Sequence, residues 1–128
     1  MDSAYALWTG RALTGVFVLF MLTASIGPKL LGAKVAHDSL AGLGWSPKYL
    51  LLIGIIELAC VLLYVVPKTS VLGAVLMTAL LGGAMATQMR VEKPLFSHVL
   101  FSVYLGLFMW GGLWLRDSTL RAMFPFRL

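Results

Sequence analysis

Four long apolar runs, at about residues 8–26, 49–66, 69–89 and 95–115, are separated by short polar breaks. At about 1.5 Å per helical residue, runs of this length cross most of a hydrocarbon layer about 30 Å thick. None alternates apolar with polar positions, so helices rather than barrel strands are predicted to span. Arg11 stands near the start of the first run, within snorkelling reach of headgroups, and Pro28 follows its end. That run has a second reading as a signal peptide: one Arg, an apolar core at 12–22, then Thr23, Ala24 and Ser25.

The breaks carry the turn chemistry. The longest, 27–48, holds Lys29, Lys34, His37, Asp38 and Lys48. Leu31, Val35 and Leu40 recur within it at near-helical spacing, which predicts an interfacial helix over about 29–41. Ser46 and Pro47 then read as a hydroxyl cap and a proline at the first helical position. Pro67 and Lys68 form so short a link that the second and third runs must lie antiparallel. Beyond Arg116, Leu120, Met123 and Phe124 alternate with Arg121 and Arg127, as in a segment of about 117–128 resting on headgroups. Trp8, Tyr64, Trp110 and Trp114 mark one aromatic belt, and Trp45 and Tyr49 the other. The resulting expectation is an all-α integral membrane protein, one domain over 1–128, built as an up-and-down bundle of four transmembrane helices.

Composition supports this reading. The 128 residues are 60% hydrophobic and 12% charged, with a mean hydropathy of +0.93. A chain this short cannot cover several all-round apolar helices with protein alone, so lipid must do it. The 10 Lys and Arg outnumber 5 Asp and Glu, but they stand singly at run ends, which suits anionic headgroups and not nucleic acid. They do not orient the chain. Arg11, Lys68, Arg116, Arg121 and Arg127 lie on the side of both termini, and Lys29, Lys34, Lys48, Arg90 and Lys93 lie opposite, a tie under the positive-inside rule. The lone Cys60 excludes an internal disulfide or a CxxC pair.

One residue is out of place in this pattern. Glu57 is the only charge in 49–66, roughly 12 Å from either end of a helix. A carboxylate at that depth costs about 2.5–3.5 kcal/mol on insertion scales, so it must face other helices and find a partner there, or stay protonated. Gln88 and Arg90 end the third run and His98 begins the fourth, on the membrane side nearer Glu57. A cavity gathering Glu57, Gln88, Arg90 and His98 would offer a carboxyl, an amide, a guanidinium and an imidazole to a carbonyl, hydroxyl or anionic headgroup. Against this stand plainer readings: Glu57 as a packing residue paired with Gln88 or Arg90, His98 as an interfacial hydrogen-bonder, and Arg90 as a headgroup anchor. Small residues in the third run, Thr78, Gly82, Gly83 and Ala86, together with Gly54 in the second, are expected to let helices approach closely. Bis-His haem ligation does not fit His37 in a loop and a solitary His98. No metal site is expected, because Glu57, Cys60 and His98 stand at different depths. No motif of a catalytic nucleophile, phosphate loop or zinc protease occurs.

The stretches GLGWSP (42–47), IGIIELACVLLYVVPKTSVLGAVLM (53–77) and GGAMATQMRVEKPLFSHVLFSVYLGLFMWGGLWLRD (82–117) carry a resemblance. Together they resemble the DoxX-like family of small bacterial four-helix membrane proteins over roughly residues 10–117. Most telling are Glu57 after Gly54, the Pro67 turn followed by Gly73, and the Ala86–Phe96 stretch with its Arg90, Val91, Pro94 and Leu95. The family name comes from a subunit of a thiosulfate:quinone oxidoreductase, and most members have no assigned reaction. The resemblance implies a bacterial inner-membrane protein with both termini cytoplasmic. His often stands in relatives where this chain has Gln88, which lowers the expectation of proton or metal chemistry here. The function expected is that of an accessory protein without catalytic residues of its own. It would bind a quinone or another small amphipathic ligand in the polar cavity and support a membrane redox partner. An assembly factor acting through the small-residue face, alone or as a homo-oligomer, is the alternative reading. A proton-coupled transporter titrating Glu57 is a third.

Overall fold

The computed structural model describes residues 4–125, which form helices and turns without a strand. Arg127 and the end of the expected tail lie outside the described residues. The first helix, α1, runs Ala4–Leu30 and is four residues longer than the apolar run implies at its C-terminal end. Pro28 does not stop it. Over Met21–Ile26 the helix widens into a π turn, with the Gly27 N–H bonded to the Leu22 carbonyl five residues back. In a regular helix the proline ring would press on the carbonyl four residues earlier, and a widened turn relieves that contact. The final turn, Gly27–Leu30, carries Pro28 within its first two positions.

Gly32 (φ +65°) closes α1 in the left-handed region that glycine enters without strain, and Gly44 (φ +83°) does the same after α2, Lys34–Gly42. A 3₁₀ turn at Pro47–Tyr49 leads into α3, Leu50–Val65. The expected Ser46 cap is not used: Tyr49 occupies the N-cap position of α3 and no side chain caps it. A second 3₁₀ turn, Pro67–Thr69, links α3 to α4, Ser70–Arg90. A π turn at Leu95–Val99 opens α5, Phe101–Arg116. The Asp117 carboxylate accepts from the Thr119 and Leu120 amides, at 3.0 and 3.2 Å, and so caps α6, Ser118–Met123.

Among the described residues three segments are long and apolar enough to cross a membrane: Ala4–Leu30, Pro67–Arg90 and Leu95–Arg116, of 27, 24 and 22 residues. The fourth, α3, is as apolar but has 16 residues. These segments pack antiparallel. Along α1 and α5, Gly10 meets Gly112 and Arg116 at one end and Phe20 meets Phe101 at the other. Along α1 and α3, Thr14 bonds Tyr64 and Ser25 bonds Glu57. The core between them holds Phe17, Tyr64, Met77, Met109 and Leu113. Tyr64 is therefore not part of an aromatic belt: it is fully buried, edge-on to Phe17. Large side chains such as Leu19, Leu51, Ile55, Leu72 and Leu107 face outward. A surface so apolar suits lipid rather than water.

Candidate functional site

Glu57 is buried in the middle of α3, and its partners come from α1. Ser25 lies in the π turn and Lys29 in the turn after it, four residues apart and therefore on one face. The Lys29 Nζ sits 2.7 Å from Glu57 Oε1, and the Ser25 hydroxyl donates to Glu57 Oε2 at 2.6 Å. Lys29 Nζ also donates to Ser25 Oγ at 2.7 Å, which closes a triangle. Both carboxylate oxygens and two of the three ammonium protons are engaged. The pair sits where charge is costly, with side chains 15% and 9% exposed, so each ion depends on the other for compensation. Gly54, one turn before Glu57, makes the approach possible: a Cβ there would come within 2.9 Å of Lys29 Cβ and 3.2 Å of a Leu30 methyl.

The triangle forms part of the wall of a cavity of about 1130 Å³. Its lining is mainly apolar, with Met21, Ile53, Leu76, Leu80 and Leu105 among the contributors and Cys60 at its buried side. Lys29 and Glu57 are the charged residues that line it. Gln88, from the last turn of α4, also lines it, and its buried side-chain oxygen has no hydrogen-bond partner. An acceptor left unpaired away from water is unfavourable by about 1–3 kcal/mol. His98 lies at the exposed rim with Nδ1 2.8 Å from the Ser97 hydroxyl.

The structure brings Glu57, Gln88 and His98 to one cavity and leaves Arg90 exposed and outside its lining. Sequence reasoning missed Ser25 and Lys29. Pro28 hid them, because it marks the end of a helix in a linear reading, and Lys29 then reads as part of the polar connection that follows. The available signal was the four-residue spacing of a hydroxyl and a cation directly beyond an apolar run, in a chain with an unpartnered carboxylate.

The small residues of α4 also lie differently from expectation. Positions Gly82 and Gly83 have nothing within 4 Å of a Cβ and Ala86 is exposed; Gly83 lines the cavity, and Gly82 and Ala86 leave a face open within the single chain. Thr78 does meet a neighbour, accepting from Trp110 Nε1 at 2.8 Å. The close crossings are elsewhere. A Cβ on Gly73 would run into the backbone of Tyr64 and Cys60, one on Gly10 would lie 2.7 Å from the Gly112 carbonyl, and one on Gly112 would lie 2.9 Å from the Thr14 amide nitrogen.

A second polar cluster is built beside these crossings. The Tyr64 hydroxyl donates to the Met109 carbonyl at 2.6 Å and lies 3.1 Å from Thr14 Oγ1, which accepts from Arg116 Nε at 3.1 Å. The Arg116 guanidinium stands 5.6 Å from the Tyr64 ring centroid. None of these four residues lines the cavity. Among the described residues no three His, Cys, Asp or Glu side chains come together to hold a metal.

A model of the DoxX-like family matches residues 12–112, and the chain belongs to that family. Neither a curated protein nor a solved structure matches it.

Proposed function

We propose that this member of the DoxX-like family is a multi-pass protein of the bacterial inner membrane that holds a quinone-like or other small amphipathic ligand in its cavity. In this reading it supports a redox partner and does not carry electrons itself. The observation that carries the proposal is a buried Ser25–Lys29–Glu57 triangle in the wall of a large apolar cavity, with the unpaired Gln88 amide lining the same space. Ligand sites in general combine an apolar lining with a few fixed polar groups of this kind.

In the membrane, α3 serves as the fourth crossing. Its 16 residues span about 24 Å, and the 3₁₀ turn at Pro47–Tyr49 adds about 6 Å, which supports a match to a hydrocarbon layer about 30 Å thick. Four antiparallel crossings place both termini on one side, the cytoplasmic one in this proposal. Native mass spectrometry of protein extracted gently from its own membrane tests the ligand. A small molecule retained by wild type and lost in Glu57→Gln is the expected result. Equal occupancy in both, or an empty cavity in wild type, sinks the reading.

A second reading, an assembly factor or homo-oligomer, is favoured by the open face of Gly82 and Ala86. It requires a protein partner that co-purifies with wild type and is lost on Gly82→Leu. A proton-coupled transporter has less support, since both oxygens of Glu57 are already bonded.

A further inference from the structure

We infer that the cavity selects an amphiphile with an uncharged, hydroxyl-bearing head, and that the Lys29–Glu57 pair sets this preference by cancelling its own charge. This rests on the ligand-binding reading above and narrows it to a chemical class.

The lining contains one cation and one anion, 2.7 Å apart. Lys34, Lys48, Arg90, Lys93, Asp38 and Glu92 do not line the cavity, so a head group within it meets no third ion in its wall. A carboxylate or phosphate head entering this space would have to compete with Glu57 for Lys29, and a quaternary ammonium would have to compete with Lys29 for Glu57. Either event strands one protein ion without a partner in an apolar wall, and an uncompensated buried charge is strongly unfavourable. A neutral head avoids that loss. What the wall still offers is one unused ammonium proton on Lys29, the spare lone pairs of Glu57, the Ser102 hydroxyl and the Gln88 amide. Those are donors and acceptors in mixture, which a hydroxyl satisfies in both capacities.

The apolar remainder of the lining takes a hydrocarbon tail. The charge of the selected head is therefore predictable from the protein: removal of the Glu57 charge leaves Lys29 as an uncompensated cation and should turn the site towards anions. Removal of both charges should return it to neutral heads.

The test uses three amphiphiles with one tail, 1-dodecanol, dodecanoate and dodecyltrimethylammonium. They are offered together at equal concentration to the intact protein in a non-ionic detergent at pH 8, where an ordinary imidazole is uncharged. Native mass spectrometry then counts the adducts. Wild type should retain dodecanol about tenfold over either ion, a ratio that corresponds to about 1.4 kcal/mol. Glu57→Gln should reverse the order of dodecanol and dodecanoate, and the double variant Lys29→Met with Glu57→Gln should restore it. Dodecanoate bound by wild type as well as dodecanol overturns the inference while leaving a ligand-binding cavity in place. An unchanged order in Glu57→Gln also overturns it. No adduct of any of the three in wild type removes the ligand-binding reading together with it.

Discussion

The two ends of the α1–α5 pair are built from opposite kinds of residue. Near the termini, Gly10 and Gly112 let the two backbones nearly touch, and most polar atoms find partners inside the seal: the Tyr64 hydroxyl bonds the Met109 carbonyl and Arg116 Nε bonds Thr14, while Arg116 Nη2 is buried without a partner. At the other end the same two helices meet through Phe20 and Phe101, whose ring centroids stand 5.4 Å apart edge to face. Both rings line the cavity. Glycine therefore stands at one crossing and a pair of phenylalanine rings at the other. The lesson is that buried polarity does not distinguish a site from a seal, since both ends contain it. Room beside the polar atoms distinguishes them, and side-chain size at the crossings decides where that room is.

The sharpest break in this comparison comes from the open end. Lys29→Met leaves the Glu57 carboxylate buried without its cation and should destabilise the protein by about 3–5 kcal/mol in reversible unfolding from mixed micelles. Lys29→Met combined with Glu57→Gln should recover wild-type stability or exceed it, since a neutral pair of similar volume carries no desolvation cost. A double variant as unstable as the single one would mean that the ion pair is not what the triangle contributes.

The closed end responds to volume instead. Gly112→Leu forces the α1 and α5 backbones apart at Thr14 and should cost about 1–3 kcal/mol. The same unfolding assay measures it, and wild-type stability would remove the glycine contact as the seal. Tyr64→Phe loses the bonds to the Met109 carbonyl, which is also part of a helix ladder, and to Thr14 Oγ1, a smaller effect of about 1 kcal/mol. Gly82→Leu, on the open face of α4, should change the stability of the isolated chain by less than about 0.5 kcal/mol. A larger loss in the native membrane than in detergent would show that a partner covers that face.

Much of this frame was legible in the apolar pattern. The runs at 49–66, 69–89 and 95–115 correspond within a residue or so at each end to α3, to α4 and to the Leu95–Arg116 segment. Charge cost alone turned Glu57 inward, as the burial of its side chain reflects. Its partner was not legible. The carboxylate was expected to look across to Gln88, Arg90 or His98, and it pairs with Lys29, a residue read as lying in a loop because Pro28 precedes it. A linear reading treats proline as a stop, and the turn that accommodates it is a property of backbone geometry over six residues. The α4 glycines misled for a related reason. Four-residue spacing identifies a flat face and says nothing of whether a neighbour lies on it, whereas Gly10, Gly73 and Gly112 follow no such spacing and become contacts only once helices cross.

The π turn at Met21–Ile26 has a consequence best put as phase. Each residue of a regular helix advances the direction of the side chains by about 100°, and a π turn holds one residue more than a regular turn. Everything after it, Lys29 included, is set back by roughly that angle relative to Gly10, Thr14 and Phe17. Deleting one residue from this turn would straighten α1 and keep Lys29 and Glu57 in the chain, yet it would swing the cation away from the carboxylate. A relative could thus carry all three residues of the triangle in order and lack the triangle. Inheritance of the site lies in the count of residues between its parts as much as in the parts themselves.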